Sequence, residues 1–242
     1  MTNATCLQID MLEVSKPPAQ KGVAFWDRQW IDPELFQLLF GGSAEHTYLV
    51  VDAHLRQSIT KVFDLDTLNL PTRCLFKGDA EEQFAQSAPF LIELTLPADR
   101  VSPFHRSFFT DHWDAGTGIL LRSDAPMDVI WTHLRKFIRS TSEHSPDRFF
   151  RFWETNATRD YFEAIALVPS RCKDLFELKS GHWVSMIISH ANITGDTVKI
   201  APIRAEIQNA TIQSRPYRSR RRLGGTHGKR GQRQFAAFVS SL

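Results

Sequence analysis

Apolar and polar positions along the chain fall into short blocks whose period switches between that of a helix and that of a strand. The first well-marked block opens at Asp32-Pro33. There an aspartate suited to capping a helix precedes a proline suited to its first turn, and Leu35, Phe36, Leu38, Leu39 and Phe40 follow before Gly41-Gly42 stops it. Residues 47–51 are β-branched and aromatic and read as a buried strand, with a helix expected from about Ala53. Asp79 with Glu82 three residues on predicts a short helix with a capping box. Residues 90–94, after Pro89, predict a second strand, and Pro97 and Pro103 predict irregular chain beyond it.

The clearest amphipathic pattern is SDAPMDVIWTHLRKFIRS, where Met127, Ile130, Trp131, Leu134, Phe137 and Ile138 form one stripe at helical spacing, with Asp124 as the expected cap. Arg135, Lys136 and Arg139 sit near its end, where cations suit the helix dipole. Residues 148–153 (RFFRFW) read as a strand, 157–167 as a helix closed by Pro169, and 181–189 (GHWVSMIIS) as a last strand. The alternation predicts an α/β or α+β body, a mixed sheet flanked by helices in two lobes. Residues 1–24, centred on KPPAQKG, read as an N-terminal extension and linker. The folded domain is then expected over 25–200, with a basic tail over 201–242.

Composition fits that picture: 242 residues with 42% apolar and 23% charged positions are enough for a real core. Eighteen Phe and six Trp can serve either a large core or a surface that holds another chain. The stretch MTNATCLQIDMLEV has no basic start and no long apolar run, and no run of about 18 apolar residues occurs anywhere, so a cytoplasmic protein away from membranes is expected. Cys6, Cys74 and Cys172 are widely spaced and lack a CxxC pair, which fits reduced thiols. The net charge of +2 hides an asymmetry. No acidic residue follows Glu206, while Arg215, Arg218, Arg220, Arg221, Arg222, Lys229, Arg230 and Arg233 do; without these eight the rest has 21 basic against 27 acidic residues, a net −6.

Nine histidines and the DHWD stretch at 111–114 raise the question of a metal or acid–base site. His105, Asp111 and His112 would be the ligands of a metal-dependent hydrolase, yet neither HExxH nor HxH spacing occurs. There is no G-x-S-x-G elbow and no phosphate loop; Gly116-Thr117-Gly118 lacks the third glycine. Asp64 and Asp66 read as an exposed turn or strand edge. The Arg-rich tail resembles segments that bind nucleic acid electrostatically, but no nucleic-acid-binding fold signature precedes it. These readings favour a binding module over an enzyme, with no cofactor and no small-molecule substrate. Trp131, which broadens the apolar stripe, and Arg215, Arg218, Arg220, Arg221 and Arg222 are the candidate partner contacts.

Four ordered segments carry a family resemblance: YLVVDAH (48–54), LFKGDAEEQFAQSAPFLIEL (75–94), GILLRSDAPMDVIWTHLRKFI (118–138) and FFRFWETNATRDYFEAI (149–165). Their order and spacing resemble the domain-of-unknown-function family of type VI secretion effector chaperones and adaptors, most strongly over 48–167. The resemblance implies a two-lobed α/β domain that binds a toxic effector and helps attach it to the VgrG spike, itself remaining in the cytoplasm. The positions matching the family pattern are Asp52, Gly78, Pro89, Leu121, Arg122, Ser123, Pro126, His133, Arg135, Arg151 and Phe152, expected to hold the fold more than to touch a partner. Two departures stand out: Glu154-Thr155 replaces the family's Asp-Pro, and the tail from Arg215 has no counterpart.

Overall fold

The computed structural model describes residues 5–18, 20–42, 45–52, 70–84, 87–96, 101–138 and 151–213. Alternation along the strands sets the architecture. In β2 (His46–Asp52) Tyr48 and Val50 point to one side and Leu49 and Val51 to the other, and all four are fully buried. Such a strand needs cover on both faces, and it has it. The sheet has seven strands: β1 (Leu7–Leu12), β2, β3 (Thr72–Cys74), β4 (Pro89–Glu93), β5 (Gly118–Ser123), β6 (Val184–His190) and β7 (Thr197–Pro202). Their order is β1-β7-β6-β5-β2-β4-β3, and every pairing is antiparallel.

Helices cover the two faces. Tyr48, Val50, Ile119, Leu121 and Ile187 pack with Ile130 and Leu134 of α4 (Met127–Leu134), Phe162 and Ile165 of α5 (Thr155–Ile165), Leu175 and Phe176 of α6 (Pro169–Phe176) and Ile207 of α7 (Arg204–Gln213). On the other face Leu49, Val51, Ile92, Leu120 and Ile188 meet Leu35 and Leu39 of α1 (Pro33–Phe40), Trp30, Phe104 of α3 (Pro103–Ser107), and Phe108, Phe109 and Trp113. The last three belong to a π turn, Phe108–His112, and its continuation. That turn's wider pitch brings Phe108, Phe109 and His112 into the interior together.

The α+β class expected from the sequence is what forms, as one antiparallel sheet with a core on each face in place of a mixed sheet in two lobes. The expected extension over 1–24 contains edge strand β1, whose Leu7 and neighbouring Cys6 are buried. The expected tail from residue 201 begins as the end of β7 and continues as α7; residues 214–242, like Asp64, Asp66, Pro97 and the helix expected from Ala53, lie outside the described residues. Residues 151–153 of the expected RFFRFW strand form a turn leading into α5.

Several local signals hold. The Asp32 carboxylate accepts from the amides of Glu34 and Leu35, with Pro33 in the first turn of α1. Burial alone would raise the Asp32 pKa, but these bonds and those from Ser15 hold it below the ordinary carboxylate value. Other caps differ. α2 (Asp79–Gln83) is capped by Gly78, whose φ of 64° suits glycine, and not by Asp79. The cap of α4 is Pro126 with no side-chain bond, because Asp124 instead accepts the Trp183 amide at 2.8 Å. Pro103 starts α3 after a Ser102–His105 capping box, where irregular chain was expected.

β5 escaped the pattern reading because GILLRS is buried at all six positions and so does not alternate. Its first residue must be glycine: a Cβ on Gly118 would lie 2.0 Å from the Val50 carbonyl oxygen across the ladder. Among the described residues no helix is long and apolar enough to cross a membrane.

Candidate functional site

The family-matching positions cluster where β5 hands over to α4. Leu121 lies in the buried middle of β5, and Arg122 beside it is 3% exposed. The Arg122 guanidinium donates to the carbonyls of Leu38 (2.9 Å) and Gly41 (3.0 Å), closing the open end of α1, and pairs with Glu45 at 3.3 Å. Burial lowers its pKa and Glu45 opposes that shift. Ser123 donates to Trp183 O (2.8 Å) and accepts from Ala125 N (3.1 Å), turning the chain toward Pro126. His133 donates through Nε2 to Leu175 O at 2.8 Å, tying α4 to α6, and Arg135 donates to Leu75 O at 3.0 Å. Asp52 ends β2 opposite Pro89, and the Pro89 carbonyl accepts from Leu75 N. Phe152 is in the core, edge-on to Trp153, while Arg151 is exposed and pairs with Glu154 at 3.3 Å. The contacts of Arg122, Ser123, His133 and Arg135 each join one element to another.

Trp131, expected to meet a partner, is engaged internally. Its Nε1 donates to Cys74 O at 2.7 Å, and the guanidinium carbons of Arg135 and Arg73 lie 4.5 and 5.5 Å from its ring centre. With Thr72, Cys74, Glu81 and Phe90 it lines a shallow recess of about 410 Å³ at the β3 edge. Arg215, Arg218, Arg220, Arg221 and Arg222 lie outside the described residues.

His105, Asp111 and His112 do not converge on an open site. The His105 ring is 1% exposed; Nε2 donates to Leu94 O (2.8 Å), and Nδ1 accepts from the Ser102 hydroxyl (2.7 Å) and amide (3.3 Å). Both nitrogens are committed in the neutral tautomer, so neither has a lone pair to offer a metal. Burial drives its pKa below the ordinary 6.5. His112 is buried, whereas Asp111 is exposed and accepts from the Ser107 hydroxyl at 3.1 Å. Among the described residues no group of three His, Cys, Asp or Glu side chains could hold a metal ion.

The surface that stands out lies where the sequence suggested a linker running into the folded body. Residues 21–29 are all exposed, and among them are Phe25 (45%) and Trp26 (57%), packed edge to face at 5.1 Å. The loop is closed at its base by the Gln20 side chain, which donates to Gln29 O (3.2 Å) and accepts from Gln29 N (3.0 Å). Arg28 donates across it to Val23 O at 2.8 Å. Arg106 of α3 reaches beneath and donates to the carbonyls of Phe25 (3.3 Å), Arg28 (2.8 Å) and Trp26, its guanidinium under both rings at 5.9 and 5.7 Å. Beside Trp26 the loop, Trp30, Phe36 and Arg106 border an open recess of about 430 Å³. Sequence reasoning missed this surface; its one local signal is a Phe-Trp pair directly after the Gly- and Pro-containing stretch.

No curated protein and no solved structure matches the chain significantly. The family model described as Domain of unknown function (DUF4123) matches residues 47–167, half of the chain, and the chain belongs to that family.

Proposed function

We propose that the chain is a cytoplasmic adaptor and chaperone that binds a cognate type VI secretion effector and helps load it onto the VgrG spike. The observation that carries this reading is its membership of the family over residues 47–167, which agrees with the four motif blocks that resemble the effector adaptors. The internal roles of Arg122, Ser123, His133 and Arg135 support it further. The motif reports a shared scaffold, and on a shared scaffold partner choice falls to variable surface. An adaptor must hold its cargo and release it. Its interface then resembles other reversible ones, with aromatic and Arg contacts at the centre and charges setting partner choice.

The test is co-expression of the full chain with the toxin and the spike protein that the adaptor reading expects to be encoded beside its gene. The expected result is co-purification of the chain with both. A correctly folded chain that binds neither in titration calorimetry removes the adaptor reading.

A further inference from the structure

A loop that is exposed at nine consecutive positions gains little from burial, so its order must come from hydrogen bonds. Residues 21–29 have an unusual supply: the two-bond Gln20–Gln29 clasp, the Arg28 strut, and one guanidinium shared among three carbonyls. The product of that order is two large aromatic rings held out in water, which is unfavourable for the isolated protein. Trp and Phe set out in this way are the residues that anchor protein interfaces, and a loop already fixed in one shape loses little entropy on docking. Charge narrows the partner: exposed Lys21 and Arg28 flank the rings, with Asp27 the one acidic residue of the loop and Arg106 beneath.

We infer that the 21–29 loop is a pre-shaped docking knob whose Phe25 and Trp26 enter an apolar strip on a partner protein, with carboxylates on that strip's flanks meeting Lys21 and Arg28. This rests on the adaptor reading and assigns its contact surface. A lipid surface fits less well, because polybasic clusters of about four to eight residues recognise anionic headgroups, and here two basic residues are opposed by an aspartate.

The experiment measures the Kd of the full chain for the neighbouring-gene toxin and spike protein, in wild type and in a Phe25→Ser/Trp26→Ser double variant. Both positions are exposed, so the melting temperature should not move. Affinity for at least one of the two proteins should fall at least about thirtyfold, the size of an interface anchor. Arg106→Leu keeps both rings but frees three carbonyls, and should weaken the same complex about tenfold through lost pre-organisation. Lys21→Glu/Arg28→Glu should weaken it about tenfold at low salt; no change there removes the carboxylate flanks. If wild type binds and the serine variant binds both proteins equally well, the docking inference fails and the adaptor reading stands. If wild type binds neither, the adaptor reading fails and takes the inference with it. Binding to phosphatidylglycerol vesicles, or a dimer, that disappears in the serine variant would replace the partner protein by a membrane or by a second copy.

Discussion

Arg122 carries its charge inside the sheet because the groups it meets there are oxygens: two carbonyls at the end of α1 and the Glu45 carboxylate. Arg122→Ala would leave those carbonyls without donors next to a void. The expected loss is about 3 kcal/mol in urea unfolding, with Arg122→Lys recovering only part, because one guanidinium nitrogen serves both carbonyls while another meets Glu45 and an ammonium has a single nitrogen for all three. Gly118→Ala should be as severe, about 3 kcal/mol or loss of soluble protein, since the new methyl would collide with the Val50 carbonyl and neither strand can move without its ladder. Two histidines make the fold sensitive to acid. His105 and His133 are 1% and 2% exposed, donate through Nε2 to backbone oxygens, and are held by burial below their ordinary 6.5. Well above pH 6.5 both are neutral whether folded or unfolded and their contribution is complete. As the pH falls below 6.5 the unfolded chain takes up protons that the folded chain resists, so stability drops by up to about 1.4 kcal/mol per pH unit for each. Melting temperatures between pH 8 and 5 should fall in that window, and His133→Gln should make the fall shallower.

At the scale of elements, β1 gives the sharpest contrast between reading and structure. An extension could be removed freely; an edge strand that buries Cys6 and Leu7 and pairs with all of β7 could not. Leu7→Ala is therefore expected to cost about 2–3 kcal/mol in chemical denaturation, and removal of residues 1–12 to cost more. β1 carries the alternation of a half-buried strand, Leu7, Ile9 and Met11 separated by Gln8 and Asp10, but Pro17-Pro18 and Gly22 beyond it give the whole stretch the look of an extension and linker. α1 was legible because its signals are local: Asp32, Pro33 and the glycine stop each act within a turn. Asp124 shows the opposite case, a cap on local grounds that tertiary contact with Trp183 redirects. The family blocks pointed to the right stretch of chain, but the aromatic loop lies outside them, and its meaning depends on Arg106, about eighty residues away in sequence. Trp131 sits between these cases. Trp131→Phe should remove about 1 kcal/mol by losing the bond to Cys74 O and leave partner affinity unchanged; a fall in affinity would return Trp131 to the interface.

For the whole molecule, one sheet with helices on both faces means that neither core can open without releasing strands the other depends on. The three cysteines report on this, because all lie in the same core, under α4 to α7: Cys6 is 1%, Cys74 7% and Cys172 0% exposed. Burial pushes the Cys74 thiol to about 11 and Cys172 to about 12, and raises Cys6 as well, so thiolate is scarce at neutral pH even where a reagent could reach. Cys172 is further held by donating to Ile165 O at 3.2 Å. Reaction with a disulfide reagent at pH 8 should thus be slow and limited by opening of the fold, not by reagent concentration. The order of reaction tests the architecture. Cys6 precedes an edge strand paired on one side only, although its amide and carbonyl are bonded to Ala166 and Ile203, whereas Cys172 is on the buried side of α6 and bonded to Ile165 of α5. Opening that begins at the β1 edge would modify Cys6 first and Cys172 last; if all three react at one rate equal to the unfolding rate, both faces open in a single cooperative step. Reaction of Cys172 well before Cys6, followed by mass spectrometry of peptides, would mean that the helical layer lifts off while the sheet edge stays closed, contrary to the packing of α5, α6 and α7 against the sheet.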